Sequence, residues 1–173
     1  MYSVYNNRNI ATLYMIRHGW LKPEYELTDN VHSYGRLTYK WISAKRRAFV
    51  EMADRTIGFR FEGFWKTSLV ITDSNEDIIG KLTMKPFKRR SILEMNSGFK
   101  ATFRRVSFWK SQYVWESDMY GPIVRIHSPS FSSTDNILIE QSTAPVDVLP
   151  LLAFLGLHLI IIRRQREAAI ASS

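Results

Sequence analysis

The sequence predicts an all-β fold with one helix: a twelve-stranded antiparallel closed β-barrel around a central hydrophobic C-terminal α-helix at about 146–166. Three observations predict it. The chain repeats itself about every 44 residues. Each unit holds four short runs of alternating or β-rich composition. One late stretch, Val148–Ile162, is apolar on every side.

The repeat aligns FRFEGFWKTSLV at 59–70 with FRRVSFWKSQYV at 103–114 without a gap. Phe59/Phe103, Arg60/Arg104, Phe64/Phe108, Trp65/Trp109, Lys66/Lys110 and Val70/Val114 are identical pairs. A further copy upstream matches Gly19, Lys22, Leu27, Thr28 and Asp29 to Gly63, Lys66, Ile71, Thr72 and Asp73. YGRLTYK at 34–40 matches IGKLTMK at 79–85, and KRRAFVEM at 45–52 matches KRRSILEM at 88–95. The third unit is weaker, with Ser117-Asp118 in place of the Thr-Asp pairs and YGPIVRI at 120–126. The single domain, 1–173, therefore divides into units of roughly 15–58, 59–102 and 103–140.

In the second unit the strand-like runs are 69–72, 80–84, 91–95 and 101–104. Asp73-Ser74-Asn75-Glu76-Asp77 supplies turn chemistry between the first two, as Asp29-Asn30 does in the first unit. No stretch before position 145 sustains a helical period through three turns. Twelve short strands must pack as two sheets or close into a barrel, and a closed barrel that wide cannot be filled by its own side chains. The helix is the expected filling, through Leu151, Leu152, Phe154, Leu155, Leu157, His158, Leu159 and Ile160. Thr143 or Asp147 is a candidate cap, and Arg163, Arg164 and Arg166 are expected to follow the helix end and complement its dipole. As a membrane span the apolar run is short: its 15 residues reach only about 22 Å, against about 30 Å of hydrocarbon.

Composition bounds the chemistry. Of 173 residues, 24 are Lys or Arg and 16 are Asp or Glu, a net charge of +8, which points to an anionic partner. With no cysteine, disulfides, thiolate metal sites and thiol nucleophiles are excluded. The N-terminal stretch Met1–Arg17 lacks the pattern of a secretory signal.

The repeated Phe-Trp-Lys…Thr-Asp…Ile-Gly pattern at 64–80, its relatives at 20–35 and 108–121, and the apolar run at 148–162 carry a family resemblance. Over roughly 19–166 the chain resembles the superfamily of tubby C-terminal domains, phospholipid scramblases and LURP-one-related proteins, and looks closest to its small bacterial members. The resemblance implies a twelve-stranded barrel around a hydrophobic helix, and a role in binding phosphoinositides or acting at membranes. No position matches the lysine and arginine with which tubby domains hold lipid. The scramblase cysteine-rich segment and calcium loop are not in this sequence.

Lys45-Arg46-Arg47 and Lys88-Arg89-Arg90 occupy equivalent places just before a strand, and with Arg104 and Arg105 they are the candidate lipid-binding residues of a basic rim. The same turns also suit a purely solubilising role, keeping strand edges apart. Phe99, Phe103, Phe108 and Trp109 interleave with basic residues as in single-strand nucleic-acid platforms, but strand packing accounts for such repeat-equivalent aromatics, and no nucleic-acid partner is expected. Asp73–Asp77 opens like a calcium loop, yet Ile78 and Met84 stand where glycine and glutamate are required, so a hairpin turn is expected. His18, His32, His127 and His158 form no short metal-ligand pair, and His158, inside the apolar helix, needs a hydrogen-bond partner.

No phosphate loop, nucleophile elbow or zinc-protease motif is present, so no catalytic residue, metal or cofactor is nominated. The expected function is a non-enzymatic, monomeric module in the cytoplasm, peripheral at anionic phospholipid or phosphoinositide membrane surfaces. The alternatives are a tail-anchored protein spanning with 148–162, and a scaffold whose partner is an unidentified protein.

Overall fold

In the computed structural model the alternating runs become twelve strands. They are β1 (Thr12–His18), β2 (Glu24–Thr28), β3 (Ser33–Ile42), β4 (Lys45–Glu51), β5 (Thr56–Glu62), β6 (Ser68–Thr72), β7 (Ile78–Lys85), β8 (Arg90–Met95), β9 (Lys100–Ser107), β10 (Gln112–Ser117), β11 (Gly121–His127) and β12 (Thr134–Ile139). Residues 1–6, 11–42, 45–63, 67–85, 90–107, 109–129, 133–140 and 143–172 are described, without the side chains of 41, 42, 45 and 46. Each strand pairs antiparallel with its neighbours in chain order, and β1 pairs with β12 from Thr12↔Leu138 to Ile16↔Thr134. The sheet is a closed barrel with no free edge.

The strands fall into three sets of four. In each set the ladder between the second and third strands slips once, after Leu27, after Ile71 and after Trp115, positions 44 residues apart. These β-bulges put Glu116-Ser117 opposite the role of Thr28-Asp29 and Thr72-Asp73. The sequence match on Ser117-Asp118 is therefore one residue out of register. The ladder counts residues, whereas the sequence match follows the aspartate's identity.

With a side-chain period of two, one face of every strand turns inward. Leu13 and Met15, Ile57 and Phe59, and Ala101 and Phe103 are the buried pairs on the first strand of each set. Leu27, Ile71 and Trp115, the residues at the slips, are also buried. What fills the space between them is α1 (Val148–Ala171). Twelve consecutive residues, Leu149–Ile160, are buried, so the helix is enclosed on every face for more than three turns. All eight helix residues expected in the core are among them. His158 lies against Tyr39 of β3 and Phe59 of β5. On the other side, Gly156 lies against Phe103, Trp115 and Ile126 of β9, β10 and β11. A Cβ at Gly156 would stand 2.5 Å from Ile126 Cδ1 and 2.8 Å from Trp115 Nε1, so any other residue there forces its neighbours to shift.

Three expectations about this region change. The helix starts at Val148 and runs to Ala171, beyond the expected end at 166. Arg163, Arg164 and Arg166 thus lie inside the helix rather than after it. Arg163–Ala169 consists of strong helix formers, so the charges end the burial without ending the helix. Asp147 occupies the N-cap position with helical dihedrals and makes no side-chain cap bond. The helix entry is instead tied down by Arg55, whose Nη2 donates to the Asp147 carbonyl at 2.8 Å. Pro150, in the first turn, lacks an N–H that would have had no intrahelical partner. Finally, the first basic tripeptide and the last residue of the second lie within their strands rather than before them. Lys45–Arg47 already belong to β4, and Arg90 opens β8.

Candidate functional site

An antiparallel meander sends the connections after odd strands to one end of the barrel and those after even strands to the other. Helix α1 enters beside Arg55, between β4 and β5, and leaves beside Ser128, after β11, whose Oγ accepts from Arg164 Nη2 at 2.9 Å. The two ends therefore differ in kind. At the entry end, Asp29, Asp54, Asp73, Asp77 and Asp118 lie in the loops. At the exit end, the described loop residues include Trp20, Leu21, Lys22, Trp109 and Lys110, and no acidic residue is among them. Trp20 is 85% exposed, Leu21 92% and Trp109 93%, so these large apolar side chains are left in water.

Of the Phe-Trp-Lys copies, Trp109 and Lys110 are described, and both lie in the loop between β9 and β10. Phe99 and Phe103 are buried, as strand packing requires, whereas Trp109 is exposed. Phe64, Trp65, Lys66 and Phe108 lie outside the described residues. Part of this was present in the sequence: Trp109 recurs 44 residues after Trp65, and Trp20 stands one residue off that spacing.

The candidate basic residues separate into groups. Arg90, Arg104 and Arg105 come together at the exit end, lining one cleft against α1. Arg47 is drawn onto the outer wall, where its Nη1 bonds Glu76 at 3.2 Å. Lys88 and Arg89 lie outside the described residues, as do the side chains of Lys45 and Arg46. Arg163 and Arg166, which the rim expected from sequence left out, join the cleft from the helix. Their inclusion follows from the helix continuing past its buried part.

The cleft holds about 220 Å³. Phe103, Tyr113 and Leu159 form its apolar floor. Arg105 and Arg163 lie over the Tyr113 ring, 5.6 and 5.9 Å from its centre. Arg104 is gripped by Glu116 through two bonds of 2.6 and 2.9 Å. That bidentate bond holds the Glu116 carboxyl below the usual range, against the opposing effect of burial.

Beside the exit, Asp135 of β12 points inward and is buried. Its pKa is raised, chiefly by burial, with the Ser128 hydroxyl and the charges of Arg164 and His127 acting in the opposite sense. At the entry end, Asp29 shows the contrary balance. Burial alone would raise its pKa, but the His32 N–H, the Tyr34 hydroxyl and the Val31 N–H donate to the carboxylate and hold it well below the usual range.

Asp73 behaves as the hairpin reading expects. Its Oδ1 accepts from the Asn75 and Asp77 N–H groups at 2.8 and 3.0 Å, an Asx turn. Among the described residues no cluster of three His, Asp or Glu side chains is placed to hold a metal ion. Comparison with known proteins found no matching family model, no matching curated protein and no matching solved structure.

Proposed function

We propose that this chain is a non-enzymatic module that docks on anionic phospholipid surfaces with the end of the barrel where α1 leaves. The observation that carries this reading is the segregation of the two ends: exposed tryptophan and lysine in one set of loops, aspartate in the other. Such a dipolar body orients itself on a negative surface. Lys and Arg near that surface contribute about 1 kcal/mol each, and tryptophan favours the headgroup level, where its ring is half wet. The resemblance to tubby-like domains, whose members bind phosphoinositides, supports the same reading.

A peripheral mode is favoured over a tail anchor. The 24 residues of α1 are long and apolar enough to cross a bilayer, but 78% of its most apolar window is already inside the barrel. Withdrawing it into a bilayer would leave the apolar lumen face of the strands open to water, against the hydrophobic effect.

Co-sedimentation with vesicles tests the proposal. Binding to vesicles of phosphatidylcholine with phosphatidylserine is expected at low salt, with loss at high salt and little binding to phosphatidylcholine alone. Reversing Lys45, Arg46, Arg47, Lys88, Arg89 and Arg90 to Glu is expected to abolish it. Unchanged binding by that variant, or none by the wild type, would remove the basis of the proposal.

A further inference from the structure

We infer that the cleft beside the exit of α1 is a binding site for a single-chain anionic amphiphile: one phosphate or carboxylate head carrying one acyl chain. The inference goes beyond surface docking and stands on the cleft's own geometry.

Six basic residues line this cleft: Arg105, Arg163 and Arg166 from the inner face and the helix, and Lys85, Arg90 and Arg104, which pair in register across β7–β9, from the outer face of the rim. Among the described lining residues Glu167 is the one acid, and Glu116 neutralises Arg104 from behind. Counted over its described lining residues, the cleft therefore keeps a positive excess. Arginine does not lose its proton in proteins, so the excess persists at any pH the fold tolerates. Like charges gathered in a concave, partly desolvated place repel one another, and an anion would relieve that repulsion. Guanidinium groups also match phosphate and carboxylate in shape, offering paired N–H donors.

The floor of the cleft is apolar. Met84, Phe103, Leu159 and Ile162 line the same cleft, so a small hydrophilic anion would leave apolar surface wet beneath it. A chain attached to the head would cover that surface. The volume of about 220 Å³ is below the roughly 300 Å³ at which sites for drug-sized ligands begin, which suits one chain and its head rather than a two-chain lipid buried whole. Two walls of the cleft belong to different parts of the chain, β7–β9 and the C-terminal half of α1 as far as Ile170. An occupant would therefore bridge the barrel to the helix end and order the last turns of α1.

Calorimetry with decyl phosphate kept below its micelle concentration tests this. Saturable one-to-one binding is expected, at least tenfold tighter than for inorganic phosphate or decanol. The Arg105→Gln/Arg163→Gln variant should bind at least tenfold more weakly, and Lys100→Gln, on an exposed side chain at the opposite end, should bind as the wild type does. Amide-shift mapping on the wild-type protein adds a readout that does not depend on any variant folding. Changes should centre on 84–85, 103–105 and 159–170, with slower exchange of the 163–171 amides. No saturable binding, equal binding of inorganic phosphate, or shifts centred elsewhere would overturn the inference. Vesicle binding without binding of the monomeric amphiphile would overturn this site and leave surface docking standing. Amphiphile binding without vesicle binding would do the reverse.

Discussion

The hydroxyl of Tyr39, on β3, lies 3.0 Å from Nδ1 of His158, in the enclosed part of α1. Phe59 stacks on the same imidazole with ring centres 5.4 Å apart. A polar side chain in an otherwise apolar plug is thus bonded to the barrel wall, which fixes both the height and the rotation of the helix.

Tyr39→Phe removes this bond while keeping the ring. A loss of about 1 kcal/mol in unfolding free energy is expected, and up to about 3 kcal/mol if the imidazole finds no substitute partner. Replacing His158 by Leu as well should recover part of that loss, because both polar groups are then gone. Urea unfolding of the two single variants and the double variant measures the coupling. Strictly additive effects would show that the contact contributes nothing.

Glycine to alanine in a helix ordinarily stabilises by about 0.5–1 kcal/mol. At Gly156 the sign should invert, because the added methyl would meet Ile126 and Trp115 at less than 3 Å. A destabilisation of about 1–3 kcal/mol is expected for Gly156→Ala. Ile126→Val, which removes the Cδ1 atom nearest that methyl, should lessen the penalty in the double variant. Thermal unfolding of the set decides it.

Two aspartates should give opposite pH slopes. Asp29 titrates below its unfolded value, so its contribution is fully present above about pH 4 and is lost as pH falls toward its folded value. The stability of Asp29→Asn should therefore fall behind the wild type as pH rises from 2.5 or so to 7. Asp135 titrates above its unfolded value, so the wild type loses stability as pH rises from about 4 through the folded value. Asp135→Asn should gain on the wild type over the same interval. Denaturant midpoints across that range read both slopes, and parallel curves would contradict the assignment.

If the exit end meets lipid, Trp20 and Trp109 report it. With anionic vesicles the tryptophan emission should shift to the blue, and the shift should shrink when both are changed to Phe. Trp115, at 0% exposure in the lumen, supplies a constant background. A shift retained in full by the double variant would place the contact elsewhere on the barrel.

Much of the architecture was legible because the chain is a repeat. A run such as Leu69–Thr72 is ambiguous alone, but its recurrence with the same flanking turns fixes the number of strands. The helix was legible because Leu149–Ile160 has no polar face, which only enclosure explains. The site was less so. Arg47 and Arg90 sit in identical tripeptides, yet one turns to Glu76 on the outer wall and the other to the cleft. Duplication copies residues without copying their neighbours. Arg163 and Arg166 lie some sixty residues from Arg104 in sequence and meet it only because α1 returns through the lumen.

By itself, then, the sequence determined the strand count, the closed sheet and the helix at its centre, since these follow from side-chain periodicity and from how much apolar surface must be buried. The tertiary structure decided which end of the barrel carries the exposed tryptophans and which the aspartates. It also decided that the arginines of β8, β9 and α1 share one cleft. Those outcomes depend on the direction in which the helix threads the barrel, and that direction is set by long-range contacts, Arg55 to Asp147 at one end and Arg164 to Ser128 at the other.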